Sequence, residues 1–465
     1  MRSQPRPEGR RSLAELLAGL PAEPDPEALF PELQRAVRQA AQPLVAIDDD
    51  PTGVQTVHDT AVLLTWGEAE LRDQLRRPEP VFFVLTNSRS LPRREAEEIN
   101  WTIGRRLAGS GAVVASRSDS TLRGHYPAEV LALETGLGEP FDGHLIVPAF
   151  FEGGRYTIDD THWVATPDAT SSELVLASET SFARDAVFGY HTAHLPSWVE
   201  AKSDGRWTAQ QVKSVPLAVV RQGPDAVSDR LMRATGSVPV VVNAAGYGDL
   251  TAFVLGLLRA EAQGKRFLYR TAASFVRIRA GLAARPLLTA EEVYAKLLDR
   301  PGLVIVGSYQ PATHAQLDQL LAAHDLRPAP IEIDVHAVLD DTWSPPDVDA
   351  ALQAGQLPIV FTSRQLVTAT GEANLDIGRR VTQALLEVVR RMRVRPRFVI
   401  AKGGITSHEI AYRGFGARQA KVLGQLLPGV PVWRLENFPA MPYVVFPGNV
   451  GGPTSLLQAA RTLSA

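Results

Sequence analysis

The chain contains no cysteine in 465 residues, which excludes disulfides, thiolate nucleophiles and cysteine-ligated zinc or iron–sulfur sites. It also lacks any apolar run approaching the ~20 residues that span a bilayer, so no membrane segment is expected. Neither sign of charge dominates: the formal net charge of −3 gives no reason to expect nucleic acid or an acidic membrane surface as a partner. No internal repeat of fixed period occurs, and there is no Gly-x-x-x-x-Gly-Lys-Ser/Thr phosphate loop. What remains, 45% apolar and 21% charged residues, is the composition of a soluble globular protein. The length exceeds one ordinary core and predicts two domains.

One stretch organises the reading: Leu44-Val45-Ala46-Ile47-Asp48-Asp49-Asp50-Pro51-Thr52-Gly53. The short, partly β-branched apolar run predicts a buried strand. Pro51 and Gly53 force a turn after it. Three adjacent carboxylates repel one another, and they make sense if a cation, a cationic side chain or a substrate hydroxyl shares the site. The plain alternative is a solvated acidic turn. Strand carboxyl ends are where open α/β sheets bind ligands, which favours the functional reading.

The pattern recurs along the chain. Pro80 to Leu85 ends in Thr86-Asn87-Ser88-Arg89-Ser90, and Pro92 then opens a helix with Ala96, Ile99, Ile103 and Leu107 at spacings of three and four. Ala112-Val113-Val114-Ala115 runs into Arg117-Ser118-Asp119-Ser120-Thr121-Leu122-Arg123-Gly124-His125. His144 to Val147 leads to Pro148-Ala149-Phe150 and Gly153-Gly154-Arg155. Strand, helix and strand over these lengths predict right-handed βαβ units. Four strand tips carrying polar residues predict a binding crevice. The pattern weakens over 157–238, where Thr161 to Val164 and Leu217 to Val220 read as short strands and 197–207 as loop. At the N-terminus, residues 1–11 are rich in Arg and Pro and predicted to be disordered, and Ser12-Leu13-Ala14-Glu15 forms a capping box. Glu8, Glu15 and the missing apolar core of a signal argue against a targeting segment, so a cytoplasmic location is expected.

A second α/β series starts at the capping box Thr289-Ala290-Glu291-Glu292. The expected organisation is a tail and leading helix over 1–40, a substrate domain over 41–285 and a nucleotide domain over 286–465. Both domains are expected to be α/β, each with a mainly parallel sheet flanked by helices, with the active site in the cleft between them. The second has Gly-rich strand tips at Gly403-Gly404-Ile405-Thr406-Ser407 and at Gly448-Asn449-Val450-Gly451-Gly452, with Gly307-Ser308 at a third. Glycine lets backbone amides approach phosphate oxygens, and the Thr406 and Ser407 hydroxyls can add donors. Tight turns are the plain alternative for each pair taken singly. The first domain offers Arg89, Arg123 and Arg155 as bidentate anion binders, Asp49 and Asp50 as proton acceptors or water-mediated Mg²⁺ ligands, and hydroxyls at Ser88, Ser120 and Thr121. His58 and His125 are read as structural, and Trp101, Trp163 and Trp433 as packing residues. An anion-and-hydroxyl site facing a phosphate cradle suits phosphoryl transfer.

These residues resemble the four-carbon acid sugar kinases. Asp49-Asp50-Pro51-Thr52-Gly53 matches that family's Asp-Asp-x-Thr-Gly, and residues 119–124 match its Asp-Ser-Thr-Leu-Arg-Gly in full. Pro148-Ala149-Phe150 with Gly154-Arg155, Gly307-Ser308 with Thr313, Gly403-Gly404-Ile405-Thr406 and Gly448-Asn449-Val450-Gly451 follow in the family's order. The resemblance implies ATP-dependent phosphorylation, with Mg²⁺, of a small sugar acid such as threonate, erythronate or a 3-oxo form. It implies substrate on the first domain, where the expected substrate contacts are Ser88, Arg89, Asp119, Ser120, Arg123, Gly124 and Arg155. It implies ATP contacts at Ser308, Gly403, Gly404, Ile405, Thr406 and Gly448, with Asn449 and Gly451 of the same turn as further expected contacts. Asp49 is the expected base and Asp50 the second candidate, because adjacent side chains of an extended segment point opposite ways. Arg123 is expected to take the substrate carboxylate. Val54-Gln55-Thr56, Arg117 and the stretch 185–207 depart from the family pattern and leave the particular acid open. A homo-oligomer is compatible with the sequence. Two rival readings stand beside this one. Asp48-Asp49-Asp50-Pro51-Thr52 also satisfies the Asp-x-Asp-x-Thr pattern of haloacid-dehalogenase-like phosphatases, with Asp48 as nucleophile, though the later strand tips lack the acidic pair such enzymes need. Two α/β lobes also describe non-enzymatic small-acid-binding proteins.

Overall fold

The computed structural model describes residues 10–166, 173–294, 299–307, 311–363, 372–448 and 450–465. The chain divides into one unit of Met1–Gly53 with Trp66–Ala283 and a second of Val54–Thr65 with Ala284–Ala465.

In the first unit, apolar runs bury both faces and pair in parallel, as such runs do when helices cover a sheet. The strand order is Lys213–Val215, Val238–Val242, Gly143–Val147, Phe267–Thr271, Val113–Arg117, Leu44–Asp48 and Val81–Leu85. Each neighbouring pair is parallel. All strand carboxyl ends therefore open at one edge, where the loops after Asp48, Leu85, Arg117, Val147 and Thr271 gather. The helix Tyr247–Ala262 is buried along almost its whole length against the helices Pro26–Ala40 and Pro224–Leu231. A small antiparallel sheet joins Arg11–Ser12, Glu173–Leu176, Thr161–Ala165 and Arg155–Ile158.

In the second unit a parallel set, Pro442–Phe446, Val399–Lys402, Leu303–Val306, Leu357–Thr362 and Pro328–Ile333, continues into an antiparallel edge of Val430–Leu435, Gln419–Leu427 and Thr60–Leu63. Its core includes Val304, Val306, Ile359, Phe398, Ile400, Val444 and Phe446. Among the described residues no helix is long and apolar enough to cross a membrane.

Several expectations are corrected. Leu217–Val220 is a helix, not a strand: four apolar residues carry no period, and Leu217 turns into a small core with Ile158, Trp163 and Leu174. The stretch 197–207 is not all loop, because Leu195–Lys202 is helical with Pro196 in its first turn and Trp198 fully buried. Arg11 is ordered, paired with Leu174. The Pro26–Ala40 helix, capped by Asp25, and the 419–435 hairpin were not foreseen. Val54–Thr65 falls inside the 41–285 stretch yet belongs to the second unit, where Gln55 Nε2 donates to the Gly429 carbonyl at 3.3 Å. Trp163 and Trp433 are buried, but Trp101 is 39% exposed.

Candidate functional site

The strand Leu44–Asp48 is buried throughout and ends by burying Asp48 itself, 1% exposed. Asp48 pairs in register with Arg117, whose Nη1 lies 3.4 Å from its Oδ1. Its Oδ2 has no hydrogen-bond partner among the described residues and lies beneath Gly53, where a Cβ would come within 1.8 Å of it. Burial outweighs the Arg117 charge and pushes the Asp48 carboxyl up to about 7.

Asp49 and Asp50 share one cation. Asn87, in the left-handed region at φ 53°, turns the chain so that Arg89 reaches back over the acidic turn. Arg89 holds Asp49 through both oxygens, at 2.5 and 3.1 Å, and touches Asp50 Oδ2 at 3.2 Å. The other Asp50 oxygen accepts from the Thr52 amide at 2.8 Å and hydroxyl at 2.5 Å. Burial works to raise the Asp50 carboxyl, but the Arg89 charge and the Thr52 bonds hold it below the usual range. The Asp49 side chain is 4% exposed and that of Asp50 is 23% exposed, so Asp50 is the one that meets solvent.

The loop 119–124 is held by its carbonyls. Leu122 and Gly124 take positive φ values of 68° and 117°. Arg270 donates to the carbonyls of Asp119 at 3.3 Å and Arg123 at 3.1 Å. His162 Nε2 lies 2.7 Å from the Ser120 carbonyl, and the Tyr190 hydroxyl donates to that of Thr121 at 2.8 Å. His162 receives the Thr157 hydroxyl on Nδ1, and burial lowers its pKa to about 4, so it is neutral here. These buried groups come from three distant stretches of chain and turn the loop's backbone inward. Gly124 is needed for close approach, since a Cβ there would lie 3.1 Å from Asp49 Oδ2. The side chains of the loop face one another: the Thr121 hydroxyl and Arg123 Nε both donate to Asp119 Oδ2. Burial would raise the Asp119 carboxyl, yet the Arg123 and Arg89 charges hold it well below the carboxylate range.

The three arginines therefore differ in how their charge is paired. Arg89 is committed to Asp49 and Asp50. Arg123 lies 2.6 Å from Asp119, 3.6 Å from Asp185 and over the Phe182 ring. Arg155 enters no ion pair among the described residues: its Nη1 reaches the Gly153 carbonyl and its Nε has no partner. Its guanidinium lies between Phe150 and Phe182, at 5.8 and 5.9 Å from their ring centres, and burial lowers its pKa. Ser88 is fully buried and gives its hydroxyl to Glu129 at 2.5 Å, which places it under the site. Ser120 is buried too, and His125 is occupied by the Leu91 carbonyl at 3.0 Å.

In the second unit Gly403 has φ 115°, and the helix Gly404–Glu409 begins at once. Thr406 packs on Gly307, where a Cβ would lie 2.1 Å from its Oγ1. The Ser407 hydroxyl points inward to the carbonyls of Ala401 and Gly403, at 2.7 and 2.8 Å, and so is not free for a phosphate. Ile405 is 50% exposed. Ser308 and Asn449 lie outside the described residues. Sequence reading missed Arg270, His162, Tyr190 and Glu129. Of these only Arg270, polar at the end of an apolar strand, carries a local signal.

Residues 44–279 match the model of a sugar-binding N-terminal domain, and residues 303–456 that of a nucleotide-binding C-terminal domain. No curated protein matches the chain. A solved Haemophilus influenzae protein, HI1011, aligns at TM-score 0.62 and 18% identity over 90% of this chain and 100% of its own. A Salmonella typhimurium LT2 protein provisionally named a tRNA synthase aligns at 0.63 and 18%, over 90% of this chain and 98% of its own. At such identities both speak for the fold alone.

Proposed function

Because the chain belongs to the four-carbon acid sugar kinase family, we propose that it is an ATP-dependent kinase phosphorylating a hydroxyl of a small sugar acid or 3-oxo sugar acid. The observation that carries the reading is the union, in one chain, of a sugar-binding and a nucleotide-binding domain. The first unit supplies what such a substrate needs. Arg155, which enters no ion pair among the described residues, takes the substrate carboxylate as a bidentate fork. Asp50, partly exposed and aimed by Arg89 and Thr52, accepts the proton of the attacking hydroxyl. Asp49 is the anchor that fixes Arg89. This reverses the order expected from sequence for the two carboxylates, and it moves the carboxylate contact from Arg123 to Arg155.

The magnesium ion that accompanies ATP finds no cage at the acidic turn. Both Asp49 oxygens are held by Arg89, and among the described residues no group of three or more His, Asp or Glu is arranged to hold an ion. The ion's partners would be phosphates and water. A phosphatase reading is disfavoured because Asp48, its required nucleophile, is buried beneath Gly53.

The test is ADP release screened across threonate, erythronate and their 3-oxo forms. Release that requires both ATP and one such acid is the expected result. Phosphate release from phosphorylated acids without ATP would replace the kinase with a phosphatase. Acid binding with no turnover would leave a binding protein.

A further inference from the structure

The segment 177–190 of the first unit lies against the loop 119–124 and carries one ring that meets two of the three arginines. The Phe182 ring centre is 4.9 Å from the Arg123 guanidinium carbon and 5.9 Å from that of Arg155. Cations settle over aromatic faces at such distances. Phe182 is neither fully buried nor fully exposed, so one part of its ring packs and another part faces outward.

Bonds within the segment and from its neighbours fix where that ring stands. The short turns Ala177–Glu179 and Ser181–Arg184 follow one another. The Tyr190 hydroxyl donates to the Thr121 carbonyl at 2.8 Å and lies 3.3 Å from that of Ala177, and the Tyr190 amide donates to the Ala183 carbonyl at 3.0 Å. Asp185 Oδ1 accepts the amides of Val187 and Phe188 at 2.9 and 3.0 Å, while its Oδ2 lies 3.6 Å from Arg123 Nη1. Lys202, at the end of the helix Leu195–Lys202, donates from Nζ to the carbonyls of Phe188 and Gly189 at 3.0 and 2.8 Å. A Cβ at Gly189 would lie 2.7 Å from the Asp185 carbonyl oxygen, so this closure needs the glycine. The ring is thus pinned through both ends of its segment.

The donors of a guanidinium lie in its plane. Phe182 offers them no acceptor and fills the space beside them. Arg155 Nε has no hydrogen-bond partner among the described residues. A carboxylate forked onto Arg155 brings its next carbon alongside the Phe182 ring, where a hydrogen fits and an additional methyl group meets the ring. We propose that Phe182 is a specificity-determining residue, which walls the carboxylate subsite and holds the substrate to acids whose carbon next to the carboxylate carries a hydrogen and no branch. This role rests on the reading that the first unit binds a sugar acid for phosphorylation. Because the ring meets Arg123 as well as Arg155, it holds with either arginine as the carboxylate receptor.

Initial rates of ADP release by the full chain test it, with threonate, erythronate, their 3-oxo forms and the 2-C-methyl counterpart of each. The parent should prefer an unbranched acid over its 2-C-methyl counterpart by about tenfold or more in kcat/KM, the discrimination a pocket gives for one methyl group. Phe182→Ala should reduce that ratio by about tenfold, chiefly by raising kcat/KM for the branched acid. A merely structural loss would lower both values and leave their ratio unchanged. An unchanged ratio in Phe182→Ala, or a parent that turns over the branched acid as well as the unbranched one or better, overturns the wall and leaves the kinase reading standing. If Phe182→Ala does not fold, Phe182→Leu takes its place and must shift the ratio the same way. A parent that turns over none of these acids with ATP overturns the kinase reading and the wall together.

Discussion

Arg89 grips Asp49 with two nitrogens, Nη2 at 2.5 Å from Oδ1 and Nε at 3.1 Å from Oδ2. The same guanidinium meets Asp50 once, at 3.2 Å. Neighbours in sequence thus differ in reach: the Asp49 side chain is buried under Arg89, whereas Asp50 retains an accessible face.

Asp50→Asn should therefore lower kcat by ~10²–10⁴ while KM for ATP stays unchanged. Asp49→Asn frees Arg89 from its anchor and should act chiefly by raising KM for the acid. Steady-state kinetics on both variants decide the matter, and the opposite ranking of kcat would return the base to Asp49.

Arg155→Lys should raise KM for the acid by about tenfold or more, because an ammonium cannot reproduce a bidentate fork. Arg123→Lys should raise it less, since Asp119 and Asp185 already balance that charge. Equal effects, or a larger one at Arg123, would restore Arg123 as the carboxylate receptor.

Gly53→Ala drives a Cβ to 1.8 Å from the buried Asp48 Oδ2. The substitution should destabilise the fold by about 1–3 kcal/mol or more. In an Asp48→Ala background the same change should cost less than about 1 kcal/mol, since the opposing atom is gone. Denaturant unfolding of the four proteins measures the coupling, and additive costs would show that the clash is relieved elsewhere.

Glu129 is buried, and burial together with the Asp49 charge pushes its carboxyl up to about 7. A folded-state pKa above the unfolded one contributes stability that is complete below the unfolded value and is lost as pH rises through the folded one. Glu129→Gln removes this dependence. Relative to the parent, the variant should gain about 1.4 kcal/mol per pH unit between roughly pH 5 and 6.5. Urea unfolding at those two pH values is the check; a difference that does not change with pH means that Glu129 is ionised in the fold.

Local chemistry made part of the molecule readable. Both capping boxes form with their reciprocal bonds, Ser12 with Glu15 and Thr289 with Glu292, because each is closed within one helical turn. The apolar runs ending at Asp48, Leu85 and Val147 became parallel strands because burial on both faces leaves a continuous apolar signature. Leu217 to Val220 is helical although its sequence fits a strand equally well, because a run of four apolar residues has no period. The hairpin Gln419–Leu427 with Val430–Leu435 leaves no clear strand signature in the sequence, because its register shifts at Gly424 and Leu427 break the alternation that identifies a strand.

By itself the sequence determined the α/β class, the two-domain order, the family's motifs and the gathering of polar residues at strand tips, all of which follow from short-range pattern. Only the tertiary structure decided which charges remain unspent. Arg123 and Arg155 look alike in sequence, yet one is paired with Asp119 and Asp185 and the other has no acidic partner among the described residues. Three successive aspartates became a buried acid, an anchored one and an accessible one. Lys402 reads as an ordinary strand-end lysine until its ammonium is found buried against carbonyls and the Phe446 ring. Charge state and reach depend on desolvation and on partners tens or hundreds of residues away, and no local pattern records those distances.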